Sequence, residues 1–387
     1  MSKKLSRSQK LKLRTLGYIT IFWGIAAIVF GFENHLFFLS TQQIGFEHYE
    51  FGINLLATLL IVPLAGLLGG GTIVYFFKEQ VRKYPLWVTI LVDTVVIVLV
   101  IIIVSIPASL IYNSIYFSRP PWDMFILVHA LDFMFSLGLL HTIVFWSMVS
   151  ALTMIVLQVN ENYGQGVFLK LLKGNYYRPK VEMRIFMFLD IRGSTSIAEK
   201  LGHVKWFELL SQFFSDITEP IIDTRGEIYQ YVGDEVIVHW DLTSGLDQEN
   251  CVNCFFEIKK TIEQNAQKYL DEYGLMPQFK AGIHSGDVTI GEIGKVKKDI
   301  VFTGDVLNTT SRIQDFCNEL RVELLISQEV VNKMPSQSLY QYNPVGAIEL
   351  RGKEVPVSLY SVLTREQAMV LEGQRQKKPI IENVPVR

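Results

Sequence analysis

Two aspartates in the second half of the chain lie at the ends of apolar runs. Asp190 ends the run 184–190 (RIFMFLD), and Asp234 lies between the runs 227–232 and 235–240. We expect these runs to be neighbouring strands of one sheet, the last two joined by a Gly-Asp hairpin turn, so that both carboxylates meet at its edge. Carboxylate oxygens are the ligands that Mg²⁺ or Mn²⁺ takes when it also binds substrate phosphates. The pair therefore predicts a divalent metal site.

The residues after Asp190 could hold the phosphates themselves. Gly193, Ser194 and Thr195 form a turn that opens a predicted helix over 194–223. Free backbone N–H groups in such a turn, together with the helix N-terminus, attract phosphate oxygens. A strand-ending Asp before Gly-Ser-Thr is also a common signal for the start of a helix, so this segment alone does not decide between the two interpretations.

A third group of polar side chains lies later in the chain. Asn308 and Arg312 are four residues apart in a predicted helix over 304–320, so they share one helical face. An amide and a guanidinium side by side suit a ribose oxygen and a transferring phosphoryl group. The three groups together predict phosphoryl chemistry on a nucleotide.

Alternating extended and helical patterns must position these residues. Their core order is strand–helix–strand–strand–helix–strand, which predicts a ferredoxin-like α+β sandwich. Besides the segments named above, we expect a helix at 249–274, a pair of strands at 279–286 and 287–294, and strands at 323–327, 347–352 and 357–362.

The first part of the chain has the composition of a membrane domain. The 387 residues are 49% hydrophobic, and of the 74 charged side chains only 17 lie in residues 1–160. Four apolar stretches approach the length of about 20 residues that a membrane-spanning helix needs. They are 15–32, 52–77, 86–112 and 124–158. The last is longer than one span, so we expect it to tilt, to kink or to continue as a connecting helix.

The positions of Lys and Arg predict how these helices are oriented. Six basic residues precede the first stretch and three lie in 78–85, whereas 33–51 has none and 113–123 has one. Cytosolic loops carry the excess of Lys and Arg, so both termini are predicted to be cytosolic in a multi-pass protein of the cell membrane. The predicted domains are a basic N-terminus 1–14, a four-helix transmembrane domain 15–158, a connector 159–183, a soluble domain 184–363 and a loosely ordered tail 364–387.

Four ionisable residues lie within the apolar stretches: Asp93, His129, Asp132 and His141. Such groups are costly in hydrocarbon and suggest a function by default. One interpretation is a haem or ligand pocket between the helices. The other is that these groups lie near the ends of the spans or form hydrogen bonds within the bundle.

Other features of the sequence argue against further functional sites in the soluble half. The formal net charge of −2 argues against a generally basic nucleic-acid binder, and we expect no nucleic-acid partner. Cys251 and Cys254 form a C-x-x-C pair, but no second pair or nearby His completes a zinc site, so core packing is favoured. His239 and His284 follow apolar strand residues and are expected to be structural or pocket-lining.

The three polar groups and their surroundings resemble the catalytic domain of the class III nucleotidyl cyclases, the adenylate and guanylate cyclase family. The matching segments follow the order of the family and cover nearly the whole soluble half. They are FMFLDIRGSTSIAE (186–199), IYQYVGDEVIV (228–238), AGIHSGDVTIGEIG (281–294), FTGDVLNTTSRI (302–313) and LRGK (350–353). With the apolar first half, the resemblance implies a membrane-anchored adenylate cyclase of bacterial type.

The resemblance also implies a mechanism and an assembly. The substrate's 3′-oxygen attacks its own α-phosphorus and releases pyrophosphate, at sites formed between the two chains of a head-to-tail homodimer. Asp190, Ile191 and Asp234 would hold two Mg²⁺ or Mn²⁺ ions, and Gly193, Ser194 and Thr195 would bind phosphate. Asn308 would orient the ribose and Arg312 would stabilise charge on the α-phosphate. Lys353, or else Arg351, would lie near the terminal phosphates.

Two positions depart from the pattern of the family, and both concern the base. Gln230 stands where adenylate cyclases of this family carry a Lys, and Val301 stands where they carry an Asp or Thr. An amide can both donate and accept, so Gln230 could bind adenine or flip to suit guanine. ATP is favoured, because guanylate cyclases usually carry Glu and a small polar residue here. The alternatives are GTP or another nucleotide, a non-catalytic nucleotide-binding receptor or scaffold, and a diguanylate cyclase suggested by Gly233-Asp234-Glu235.

Overall fold

A computed structural model describes residues 6–40, 51–77, 85–163, 178–296, 298–335, 337–349 and 356–369. The chain forms two compact units, Met1–Tyr163 and Gly164–Arg387. Each unit is described by itself below.

The first unit is helical. Its helices are α1 (Arg7–Ser40), α2 (Phe51–Gly71, continued by a π-helical turn Thr72–Phe77), α3 (Leu86–Phe117), α4 (Met124–Met134) and α5 (Leu137–Tyr163). Large apolar side chains alternate between buried and exposed along these helices, as expected for helices with one face toward their neighbours and another toward lipid.

Three helices in the described part of the chain are long and apolar enough to cross a membrane: Arg7–Leu36, Trp87–Phe117 and Leu137–Val159. Met124–Met134 is a shorter apolar helix, and Gly66–Tyr75 is a shorter apolar segment that belongs to α2 and its π-helical turn. The prediction of four spans is therefore met for three of them. The long stretch 124–158 breaks between α4 and α5, where Ser136 Oγ donates to the Phe133 carbonyl oxygen, so the expected kink is present.

Three of the four ionisable residues of the apolar stretches have partners within this unit. Ser150 Oγ donates to Asp93 Oδ2 at 2.6 Å, and His129 lies 2.9 Å from the carbonyl oxygen of Phe125 in its own helix. His141 lies 3.3 Å from Glu33 and stacks on an aromatic ring of α1. The helix break places His129 and His141 on different helices, so they do not share one helical face. These contacts match hydrogen bonding within the bundle.

The second unit is built on one mixed sheet. Its strands are β1 (Lys180–Ile191), β2 (Glu227–Val232), β3 (Glu235–Asp241), β4 (Phe279–Ile293), β5 (Asp299–Thr303), β6 (Leu324–Ser327), β7 (Tyr340–Ile348) and β8 (Val357–Thr364). The strand order is β2-β3-β1-β4-β6-β8-β7, and β5 pairs with β4 off this path. In the segment β2-β3-β1-β4 every neighbouring pair is antiparallel, which is the predicted ferredoxin-like core.

The helices of this unit cover the sheet and connect its strands. They are α6 (Ser194–Leu201), α7 (His203–Asp223), α8 (Leu242–Leu246), α9 (Asn250–Gln264), α10 (Ala266–Tyr273), α11 (Asp305–Glu319) and α12 (Gln328–Val331). A short 3-10 turn, Asp247–Glu249, precedes α9.

Three sequence predictions about these elements were wrong. The expected helix 194–223 is divided at Gly202, and the expected helix 249–274 is divided at Asn265. The two strands expected in 279–294 are one continuous strand, β4, because Ser285 and Gly286 continue the ladder with β1 instead of turning. Strand β5 was not predicted at all.

Strand β1 separates two hydrophobic layers. Ile185, Met187 and Leu189 face a core built with α7 and α9, whereas Phe186 and Phe188 face a second cluster that includes residues of β5 and α11. Because both faces of β1 are covered, its sequence is an uninterrupted apolar run instead of an alternating one. Asp190 follows Phe188 by two residues, so it lies on the face that α11 covers.

Candidate active site

Asp190 lies at the centre of a row of charged residues that crosses three strands. In the register of the sheet it pairs with Lys280 of β4 on one side and with Glu235 of β3 on the other. Directly paired residues on neighbouring strands project from the same face. The row therefore places a lysine, an aspartate and a glutamate side by side on the face of the sheet that carries α11.

Two donors reach the same oxygen of Asp190. Gln314 Nε2 donates to Oδ2 at 3.0 Å, and Lys280 Nζ lies 3.4 Å from that atom. The Lys280 side chain is 5% exposed, whereas that of Asp190 is 23% exposed. Both donors are thus held inside the protein while the carboxylate borders solvent.

Three acidic groups crowd together around this row. Partial burial and, after it, the neighbouring carboxyl of Asp234, which lies within hydrogen-bonding reach, together raise the pKa of Asp190 to about 6. Burial also raises the pKa of Glu235 to about 7, with added repulsion from Asp190, Asp315 and Asp234, while Lys280 acts in the opposite direction. Negative charge concentrated in this way favours a bound cation.

Asp234 reaches this cluster from the hairpin between β2 and β3. Val232 pairs with Glu235 across a two-residue turn, and Gly233 has φ +64°. A positive φ at the first turn residue is what a tight hairpin requires, and glycine meets it without strain. The predicted Gly-Asp turn is therefore present, and it brings Asp234 to Asp190.

The predicted phosphate turn lies beside the two aspartates. Gly193, with φ +66°, immediately precedes α6, whose first residue is Ser194. A cleft of about 480 Å³ is lined by Ser194, Thr195 and Asp234, with Trp206 on its far side. Backbone N–H groups at the start of α6 and the carboxylate of Asp234 thus border one open space that could receive a phosphate chain.

Ile191 ends β1, and its side chain is 1% exposed in the core. Only its backbone carbonyl could therefore serve as a ligand. In the described ranges of the chain, no group of three or more His, Cys, Asp or Glu side chains is arranged to hold a metal ion. A cation between Asp190 and Asp234 would need further oxygens from the backbone and from the substrate, which is the coordination that Mg²⁺ bound to phosphates prefers.

Polar residues project from different sides of helix α11. Gln314 is 2% exposed and contacts Asp190. Asn308 is exposed and Arg312 is half-buried. At 100° per residue, Arg312 and Gln314 project about 200° apart, whereas Asn308 and Arg312 are within about 40° of each other. Asn308 and Arg312 therefore point away from the aspartates of their own chain.

The two base positions lie on strands β2 and β5. Gln230 is exposed on β2, next to an irregularity in the pairing of β2 with β3. Val301 lies on β5 and pairs with Gly291 of β4. Tyr229 and Phe302, their chain neighbours, make a T-shaped ring contact at 4.7 Å, and the Phe302 N–H donates to the Tyr229 hydroxyl oxygen at 3.3 Å. This contact ties β5 to β2 and brings the two positions to one side of the unit.

The remaining candidates are structural or undescribed. Cys251 and Cys254 are fully buried in the core, where burial raises the pKa of Cys254 to about 12. His239 is buried among aromatic rings, and His284 lies 2.8 Å from Ser327 Oγ. Lys353, with Arg351, lies outside the described residues.

Sequence reasoning missed three residues of this site: Glu235, Lys280 and Gln314. Glu235 could have been found from the sequence, because it directly follows Asp234, which the sequence predicts to meet Asp190 at the edge of the sheet. Lys280 required knowing that β4 is one strand. Gln314 required knowing how α11 packs on the sheet.

The chain is similar to known cyclases. The family described as adenylate and guanylate cyclase catalytic domain matches residues 177–364. Adenylate cyclase 2 of Rhizobium meliloti (strain 1021) is 31% identical over 247 residues, which cover 63% of this chain and 68% of that protein. An adenylate cyclase of Anabaena cylindrica is 25% identical over 186 residues, which cover 46% of this chain and 36% of that protein.

Among solved structures, the adenylyl cyclase CyaB from P. aeruginosa matches with 22% identity and a TM-score of 0.42, covering 48% of this chain and 96% of that chain. The family match and the relative from Rhizobium meliloti agree with the resemblance carried by Asp190, Asp234, Asn308 and Arg312. The chain belongs to the adenylate and guanylate cyclase family, the class III nucleotidyl cyclases.

Proposed function

We propose that this protein is a membrane-anchored adenylate cyclase, a phosphorus–oxygen lyase that converts ATP to 3′,5′-cyclic AMP and pyrophosphate for second-messenger signalling. The observation that carries the proposal is the contact of Asp190 with Asp234, which in turn borders one open cleft together with Ser194 and Thr195. Carboxylates beside free backbone N–H groups suit a nucleoside triphosphate with its cations. The relatives from Rhizobium meliloti and Anabaena cylindrica are each named as an adenylate cyclase.

Asp190, Asp234 and the carbonyl oxygen of Ile191 are the groups that would hold two Mg²⁺ or Mn²⁺ ions. The donor set fits, because burial raises the pKa of Asp190 and of Glu235, repulsion from Asp234 acts in the same direction on both, and a cation would relieve that repulsion. When bound, the ions lower the pKa of the 3′-hydroxyl and neutralise triphosphate charge. The chain itself binds the phosphates at Ser194 and Thr195 and keeps Asp190 oriented through Gln314.

The site is proposed to be shared between the two chains of a homodimer. Around the axis of α11, Arg312 projects about 160° and Asn308 about 120° from Gln314, and Gln314 contacts Asp190 of the same chain. A single chain therefore directs its amide and its guanidinium away from its own aspartates. In a two-fold dimer each chain can supply Asn308 and Arg312 to its twin, where they would orient the ribose and stabilise charge on the α-phosphate.

ATP is the proposed substrate, and Gln230 is the proposed contact for the base. An amide can donate to a ring nitrogen of adenine and accept from its exocyclic amine. Val301 offers only apolar contact. GTP is the alternative, because the same amide can flip. Lys353 remains the residue that is predicted to lie near the terminal phosphates of the nucleotide.

We also propose that the helices of the first unit anchor the protein as a multi-pass protein in the cell membrane, with both termini and the catalytic unit in the cytosol. The distribution of Lys and Arg supports this arrangement. Both termini lie on one side only if the number of spans is even, so α2 would cross the membrane as the fourth span beside the three helices that are long and apolar enough in the described residues. Anchoring would raise the local concentration of the catalytic units and so favour their pairing. Lipid and a second copy of the chain are the proposed partners, with no nucleic acid.

The proposal is tested with the full-length protein in detergent or nanodiscs. ATP, GTP, CTP and UTP are supplied separately with Mn²⁺, and products are identified by mass spectrometry. We expect cyclic AMP and pyrophosphate in equal amounts from ATP, with slower turnover of GTP. Nucleotide binding without release of pyrophosphate would instead indicate a non-catalytic receptor or scaffold.

A further inference from the structure

We infer that Gln314 is a positioning residue that orients the Asp190 carboxylate for the cation, an inference that rests on the proposed cyclase function. Gln314 lies on α11, which the proposed mechanism uses only for Asn308 and Arg312. Its amide nitrogen donates to Asp190 Oδ2 at 3.0 Å. This contact joins the helix to the metal-binding end of β1 within one chain.

The geometry at Asp190 separates the roles of its two oxygens. Gln314 and Lys280 both contact Oδ2, and we therefore assign the cation to Oδ1, shared with the neighbouring carboxylate of Asp234. A carboxylate that is free to rotate loses entropy when it binds a cation, whereas one held through a single oxygen is already oriented. Partners of this kind typically change metal affinity or activity by about 10-fold to 100-fold when they are removed.

The contact depends on an unusually close approach of α11 to the sheet. A Cβ built on Gly282 of β4 would lie 2.5 Å from the backbone nitrogen of Gln314 and 2.9 Å from the carbonyl oxygen of Thr310. Only glycine at this position lets the helix lie so near. The Gln314 side chain is consequently 2% exposed, and its amide is satisfied by Asp190 instead of by water.

Gln314 gives a cleaner test than Lys280, because it carries no charge. Replacing Lys280 would change both the orientation of Asp190 and the net charge of the cluster. Gln314→Met keeps the length and approximate volume of the side chain and removes its amide, and with it the donor to Asp190, without changing the charge. Thr310→Val is a matched control: it lies one turn earlier on the same buried face, and its hydroxyl donates to the Val306 carbonyl within the helix.

The experiment compares wild type, Gln314→Met and Thr310→Val as full-length proteins. Mn²⁺ affinity is measured by electron paramagnetic resonance in the presence of 3′-deoxy-ATP, which cannot cyclise, and kcat, KM and the thermal midpoint are measured alongside. For Gln314→Met we expect the Mn²⁺ dissociation constant to rise by about 10-fold and kcat to fall by at least as much, with KM for ATP changing less than about 3-fold. Thr310→Val should retain the Mn²⁺ affinity of the wild type.

Two outcomes would overturn the inference: wild-type Mn²⁺ affinity and kcat in Gln314→Met, or an equal loss of affinity in Thr310→Val, which would indicate a general effect of packing. Failure of the proposed function is distinguishable, because the wild-type protein itself would then make no cyclic nucleotide. Mn²⁺ affinity reports on Asp190 in either case.

Discussion

Gln314 and Arg312 lie two positions apart on α11 and project from opposite sides of it, Gln314 onto Asp190 of its own chain and Arg312 away from that carboxylate. In the proposed dimer, this helix would therefore hold the metal-binding carboxylate of one site and present a cation to the other. This relationship is the structural basis for treating the two sites of a dimer as shared.

Loss of either aspartate should abolish cyclisation. Asp190→Ala or Asp234→Ala removes a ligand from the pair, and we expect turnover to fall by more than about 100-fold, equivalent to about 3 kcal/mol of transition-state stabilisation. Cyclic AMP production by the purified full-length variants is the measurement. Asp271→Ala, an exposed aspartate on α10, is the control and should keep wild-type activity. Turnover above about a tenth of wild type in Asp234→Ala would refute its assignment.

A methyl group at Gly282 should separate α11 from the sheet. Its Cβ would contact backbone atoms of Gln314, which cannot move aside as a flexible side chain could. We expect Gly282→Ala to destabilise the catalytic unit by about 1–3 kcal/mol and to lower kcat. At Gly286 the Cβ would meet the side chain of Val306 at 3.2 Å, so Gly286→Ala should have a smaller effect. Thermal midpoints and kcat of the two variants provide the comparison, and equal effects would argue against the close-approach explanation.

Base selection should respond to Gln230. The substitution Gln230→Glu places a carboxylate where it can accept from the N1–H and N2–H₂ groups of guanine, so the preference should shift from ATP toward GTP. The ratio of kcat/KM for the two nucleotides measures this shift. Gln267→Glu, on α10, is a control for the added charge and should leave the ratio unchanged. An unaltered ratio in Gln230→Glu would mean that other groups of the pocket recognise the base.

Without divalent cations, the catalytic unit should lose stability as the pH rises from about 4.5 to about 7. A carboxyl whose pKa is higher in the folded than in the unfolded protein favours folding while it is protonated, and burial raises the pKa of Glu235 from 4.5 to about 7. The stabilisation from protonated Glu235 is thus fully present below about pH 4.5 and is lost as the pH rises to about 7. Glu235→Gln should flatten the dependence and stabilise the unit at pH 8 by about 1–2 kcal/mol.

Calorimetry of the metal-free full-length protein across this pH range tests the prediction. Glu263→Gln, which alters an exposed glutamate of α9, should follow the wild-type curve. A Glu235→Gln curve parallel to wild type would show that Glu235 does not titrate in this range.

The sequence was sufficient for those parts of the site that depend on local pattern. The apolar run ending at Asp190, the turn at Gly233 and the spacing of Asn308 and Arg312 all depend on neighbours within a few residues. Predictions failed where a glycine has a tertiary role. Gly286 follows Ser285 like a turn residue, yet it lies in mid-strand facing Val306 of α11. The Gln314–Asp190 contact spans 124 positions and follows from how the helix packs, which no local pattern encodes.

The most direct test of the shared-site account is co-expression of Asp190→Ala with Arg312→Ala. Each variant alone should be inactive. In a mixed dimer, one site takes intact aspartates from the Arg312→Ala chain and an intact Arg312 from the Asp190→Ala chain, while the other site carries both lesions. With random pairing about half the dimers are mixed and each has one working site, so cyclic AMP production should return to about a quarter of wild type. Confirmed mixed dimers without recovered activity would contradict the account, because a site built within one chain cannot be restored by mixing.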